Sequence, residues 1–334
     1  MASILTTVLG EIQAAKNHTA SINRCKIIIK EIEVHLNKRI VSYFASEVGK
    51  DHVSMINDED AFIIENLLSV PSEKKDLVFI LHSNGGFSLS AERIIDVCKS
   101  YCKKRNDGSS FLVLIPKRAK SAATVLALGA DKIYLRYTAE LGPVDPQFTV
   151  KDKDGNTQFT PAYLHVDAME NILKTSGILS KTRFKSLFDN TRAFSGLSSE
   201  IRKKFLEQCN YALYVSAKNE LGLSDSIIDK IAADKTSANP NISLENFNIF
   251  KDPHVTKSHG RLINLGDLRS NPLCQEKIIN RASELFADRA TYETVDPLIW
   301  EFYVRKRQML NDAGNKIVKT IETCDEDFIN FGQK

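Results

Sequence analysis

Between Arg39 and Leu135 the chain alternates short apolar runs with longer amphipathic stretches, and this alternation constrains the fold more than any other feature. "RIVSYFASE" (Arg39–Glu47), "DLVFILHS" (Asp76–Ser83), "FLVLIP" (Phe111–Pro116) and "KIYL" (Lys132–Leu135) are rich in β-branched and aromatic residues and read as strands. "DEDAFIIENLLSV" (Asp58–Val70) reads as a helix with an acidic first turn. "SLSAERIIDVCKSYCKK" sets Ala91, Ile94, Ile95, Cys98 and Cys102 on one helical face, and Ser121–Gly129 is a short apolar helix. Strands separated by helices require right-handed crossovers, and hence a mainly parallel sheet buried on both faces.

The flanks differ in texture. Residues 1–36 are amphipathic, with Ile22, Ile28, Ile29, Ile32 and Leu36 at near-helical spacing, and read as a helical arm. The α/β core is expected over residues 37–160, closing on a hairpin around Asp154-Gly155. Residues 161–289 read as a largely helical extension, and 290–334 as a charged tail containing the amphipathic helix "LIWEFYVRKRQML".

Composition adds exclusions. The 45 basic and 42 acidic residues leave a net charge of +3, so no nucleic-acid or membrane-surface partner is implied. No run approaches 18 uncharged apolar residues, so no membrane span is expected. The N-terminus lacks a basic region followed by a continuous apolar one. The six cysteines form no CxxC pair and no metal-ligand spacing, and scattered free thiols fit a reducing cytoplasm. Neither GxGxxG nor a Walker A motif is present, and no cofactor or metal is expected.

Two turns carry the chemistry. Gly85-Gly86 follows one buried strand and opens a helix; Ser121 follows the next strand and opens another. The glycines serve either as a tight turn or as exposed backbone N–H donors. Ser121 is either a helix N-cap or a nucleophile whose neighbouring Ala122 N–H faces a developing oxyanion. Successive parallel strands deliver both turns to one sheet edge, where open α/β folds place their sites. A hydroxyl meeting backbone N–H groups there has the parts for acyl transfer.

The same residues carry a resemblance. "ILHSNGGFSLSAERI" is similar to the strand–Ser-Pro-Gly-Gly–helix segment of the Clp protease proteolytic subunit and of signal peptide peptidase A, with Asn84 standing in the place of proline. "AKSAATVLALGADKIYL" resembles the nucleophile segment of that peptidase family. With "ELGPVDPQF" (Glu140–Phe148) and "HGRLI" (His259–Ile263), the chain resembles the serine dehydrogenase proteinase family, a branch of the ClpP/crotonase-fold serine peptidases.

The resemblance implies a ClpP/crotonase-like α/β core with N-terminal helices and a largely helical C-terminal half. It implies an ATP-independent cytoplasmic serine endopeptidase acting on protein or peptide substrates, assembled as a homo-oligomer. Ser121 would be the nucleophile, with Gly86 (supported by Gly85) and Ala122 as the oxyanion hole. The base stays open. Lys174 matches the position of the family's Ser–Lys dyad, Lys120 adjoins the nucleophile, and His259 lies in the "HG" segment; each also has a purely structural reading. Asp145 reads first as part of a rigid turn. A crotonase-type acyl-CoA enzyme and a catalytically silent scaffold remain as rival readings.

Overall fold

In a computed structural model the described residues are 3–15, 17–48, 52–151, 157–175, 200, 210–252, 261–312 and 316–331. They form two compact units. The first comprises residues 1–142, 239–242 and 262–334, and the second residues 143–238 and 243–261.

The first unit is built on a seven-stranded sheet. Its strands are β1 (Arg39–Ala45), β2 (Leu77–His82), β3 (Phe111–Ile115), β5 (Lys132–Leu135), β9 (Ile279–Arg281), β10 (Ile317–Glu322) and β11 (Asp327–Phe331). The order across the sheet is β11-β10-β1-β2-β3-β5-β9. From β1 to β9 every pairing is parallel, whereas β10 joins β1 and β11 joins β10 in antiparallel sense. A mixed α/β fold with a mostly parallel sheet is therefore the architecture, as the strand–helix alternation requires.

The crossovers are α3 (Asp58–Ser69), α4 (Ser88–Lys104) and α5 (Ala122–Gly129). Every residue of β1, β2 and β3 is buried, which explains runs without polar alternation. One face carries Ile40, Phe44, Val78, Ile80, Leu112 and Leu114. It packs in one cluster with α2 (Thr19–Leu36) and with Ile299, Phe302 and Tyr303 of a long helix that spans Arg289–Asn311. Burying each such large apolar side chain stabilises the fold by about 1.5–3 kcal/mol. On α4 and α5 the helices approach closely, since a Cβ added at Gly129 would stand 2.4 Å from Ile95 Cδ1.

Two features depart from the expectations. The apolar face of α2 (Cys25, Ile28, Ile29, Ile32, Leu36) is buried in this core, so the helix is part of the first unit's packing rather than an arm apart from it. Helix α1 (Ile4–Ala15) is tied down as well, through Glu11 Oε2 at 2.7 Å from Arg305 Nη1. The charged C-terminal stretch, read as tail, supplies β10 and β11. Its Lys319 and Glu322 point inward, each against an opposite charge, which is why the segment carries no apolar strand signature.

The second unit contains the antiparallel hairpin β7 (Gln147–Lys151) and β8 (Thr157–Pro161), then α6 (Ala162–Thr175) and α7 (Tyr211–Ala238). Ala162, Val166 and Met169 of α6 pack with Tyr214, Ala217 and Leu221 of α7. We label the Arg289–Asn311 helix of the first unit α8.

Candidate active site

Strands β2 and β3 end side by side, and each opens into a turn at the same sheet edge. Beyond β2, Ser83 donates its N–H to Arg118 O (3.2 Å) and accepts from Lys120 N at 3.0 Å, so the two turns are laced together before either helix begins. Ser83 Oγ accepts from Gly85 N at 3.0 Å. Gly85 O accepts from Ile56 N at 3.0 Å and Phe87 N donates to Ile56 O at 2.9 Å, so Ile56 runs alongside Gly86 as an isolated parallel bridge. Among the described residues, no hydrogen bond engages the amide hydrogens of Gly86 or Ala122.

Glycine is required at both positions for space. A Cβ at Gly86 would lie 2.3 Å from Ile56 N. One at Gly85, where φ is +109°, would lie 2.8 Å from Ser121 Cβ and 3.0 Å from Ala122 N. The glycine turn thus lies directly against the serine and against the first N–H of α5.

Ser121 occupies the cap position of α5, but its side chain makes no capping hydrogen bond. Its backbone has φ 49° and ψ −125°, a region that a residue with a Cβ enters only when its surroundings force it. A serine on a strained strand-to-helix turn is how a nucleophilic hydroxyl is presented clear of its own helix. The helix-cap reading fails on the missing bond, and the side chain is partly exposed.

The turn is braced from below. Thr124 Oγ1 donates to Ala119 O at 2.8 Å and lies 3.0 Å from Gly142 O, while Gly142 N donates to the same hydroxyl at 3.1 Å. β4 (Arg118–Ala119) pairs in parallel with β6 (Glu140–Leu141), and Leu141 bridges Ile263. Glu140 Oε1 holds Arg118 Nε at 3.0 Å and Lys120 Nζ at 3.4 Å. Burial lowers the Lys120 ammonium from its ordinary range, and Glu140 opposes that shift. Lys120 is therefore committed to Glu140 and packed over Gly142, where a Cβ would meet its Cδ at 2.2 Å.

Of the other residues singled out in the sequence, His259 lies outside the described residues. Lys174 falls on α6, and its side chain lies outside them too. Asp145 is buried in the second unit, where burial, and after it the Asp145 charge, push the Tyr163 phenol up. A cavity of about 990 Å³ in the first unit is lined by Lys117, Glu140, Leu262, Arg269 and Tyr292 among others, but not by Ser121. Thr124 and Ile56, which sequence reasoning passed over, turn out to hold the two turns in place. A threonine within an apolar run and an isoleucine in a polar loop carry no signal of that role.

Residues 12–155 match the ClpP-like SDH-type serine proteinases. The matched region of this proteinase family contains both turns and supports a serine peptidase. Two uncharacterized proteins of Methanocaldococcus jannaschii, MJ1495 and MJ0137, are 30% and 35% identical to the chain over 124 and 125 residues. Each alignment takes in 36% of this chain, and the chain spans only 40% and 42% of those relatives' lengths. Two structures of a membrane-bound stomatin-specific protease, one a mutant in complex with a substrate peptide, align with a TM-score of 0.26. They are 15% and 14% identical, over 36% and 37% of this chain and 54% and 60% of theirs. No helix among the described residues is long and apolar enough to cross a membrane.

Proposed function

We propose that this chain is an ATP-independent serine endopeptidase that cleaves peptide bonds through an acyl-enzyme on Ser121. The observation that carries the reading is the strained Ser121 backbone, its hydroxyl making no cap bond, lying against Gly85 of the glycine turn beside the uncommitted N–H of Ala122. Ser121 Oγ attacks the scissile carbonyl carbon as its proton passes to a base. The carbonyl oxygen becomes an oxyanion held by the N–H groups of Gly86 and Ala122. The C–N bond then breaks, the amine leaves with the proton, and water releases the acyl group by the same route. The base is left open among Lys174, which matches the position of the family's dyad, Lys120 and His259. A lysine base must lose its proton near neutral pH, and Lys120, held by Glu140, is the weaker choice for that task. The site of action is the cytoplasm, and the working form is a homo-oligomer.

A fluorophosphonate probe tests the reading. Wild type should be labelled and should cleave unfolded casein equally with and without ATP, whereas Ser121→Ala should do neither. Lys174→Met should lose cleavage while keeping its melting temperature. Absence of labelling in the folded wild type would instead favour a silent scaffold.

A further inference from the structure

Gly86 is held in place by Met55-Ile56-Asn57, and that segment is itself held by two side chains, Lys319 of β10 and Asp60 of α3. Lys319 of β10 is fully buried and donates to Met55 O at 2.7 Å and to Asp60 Oδ1 at 2.6 Å. Asp60, equally buried, accepts at Oδ2 from Tyr43 OH (2.8 Å) and from Asn57 N (2.9 Å). Lys319 and Asp60 thus grip the segment on either side of Ile56, at Met55 and Asn57. Ile56 in turn exchanges two backbone hydrogen bonds with the glycine turn, one from its N–H to Gly85 O and one from Phe87 N to its carbonyl.

We propose that Lys319, with Asp60, is a positioning residue for the oxyanion hole: it fixes Met55–Asn57 so that the Gly86 N–H stays aimed at the developing oxyanion. The inference rests on the serine-peptidase reading. The buried ammonium carries three N–H donors, and the acceptor that takes one of them, Met55 O, lies in the segment bordering Gly86, so burying Lys319 also fixes that segment. A donor aimed at developing charge acts only if it is preorganised, because small displacements weaken it steeply. The chain of contacts therefore predicts loss in the chemical step rather than in substrate binding.

The test compares wild type with two neutral double variants. Lys319→Met with Asp60→Asn removes the bond to Met55 O without stranding a buried charge. Lys319→Gln with Asp60→Asn keeps an amide donor there. We expect the methionine variant to fall 10–100-fold in kcat on a peptide substrate with KM within threefold. The glutamine variant should recover at least a third of wild-type kcat. Should either double variant fail to fold, Tyr43→Phe, which weakens only the grip on Asp60, should lower kcat 3–10-fold at unchanged KM. A folded methionine variant with wild-type kcat, or losses residing in KM, would overturn the positioning role while leaving Ser121-dependent labelling of wild type intact. Wild type without Ser121-dependent labelling would overturn the peptidase reading and this role with it.

Discussion

Ser121 adopts a backbone conformation that costs about 1–3 kcal/mol, and it does so beside two positions that tolerate no side chain. The serine and the glycines are therefore one constellation. Gly86→Ala would drive its Cβ into Ile56 backbone atoms, so it should displace the N–H assigned to the oxyanion. Loss of one such donor lowers kcat by about 100–1,000-fold. We expect that decrease for Gly86→Ala, measured on a peptide substrate, with labelling by a fluorophosphonate slowed in parallel. Both the serine and the glycines were legible in the sequence because glycine pairs and a serine at strand ends stand out against apolar runs. The strain was not, because φ at a non-glycine residue is imposed by packing. The base was not fixed either: lysines are common at helix ends, and spacing alone does not place an amine.

Strands β1, β2, β3 and β5 lie where their apolar composition puts them, because a strand buried on both faces has no polar alternation to disguise it. Strand β10 is the opposite case. "IVKTIE" mixes charged and apolar residues, as a surface strand does, yet Lys319 and Glu322 are both buried. Only tertiary partners reveal this, Asp60 for one and Lys306 for the other. Removing one member of a buried pair leaves a stranded charge, at a cost of about 3–5 kcal/mol. Lys319→Met alone should therefore lower stability by roughly that amount in urea titration, and adding Asp60→Asn should restore much of it.

The end of β2 offers a pH-dependent counterpart. His82 Nε2 lies 3.1 Å from Glu47 Oε1, with Tyr303 edge-on at 5.1 Å. Burial pushes the His82 imidazole below its ordinary value, so the native state takes up its proton later than the unfolded chain does. Stability should accordingly fall as pH drops below about 6.5, the ordinary histidine value. The hydrogen bond from His82 lowers Glu47 to about 2, so its contribution is full above the ordinary carboxylate value of 4.5 and is lost as pH falls towards 2. Melting temperature followed from pH 8 to 5 should decline for wild type and run flatter for His82→Leu.

On the scale of the whole first unit, the residues matched by the proteinase family are only part of what makes the fold stable. Within residues 12–155, β1 is left without β10 on one side, and the face bearing Ile40, Phe44 and Ile80 is left without α8. Phe44 packs edge-on to Phe302 at 5.2 Å, and Arg136 at the end of β5 holds Asp296 through two bonds of 2.7 and 2.8 Å. We expect a 12–155 fragment to show no cooperative melt by circular dichroism and no Ser121 labelling, although it contains both turns. A full chain cut after α8 should fail the same way.

The antiparallel docking of β10 beside β1 bears on when the two turns can first take up their final geometry. Gly86 and Ser121 precede Lys319 in the chain, so during synthesis both turns exist for a time without the contact to Met55 O that holds the segment beside them.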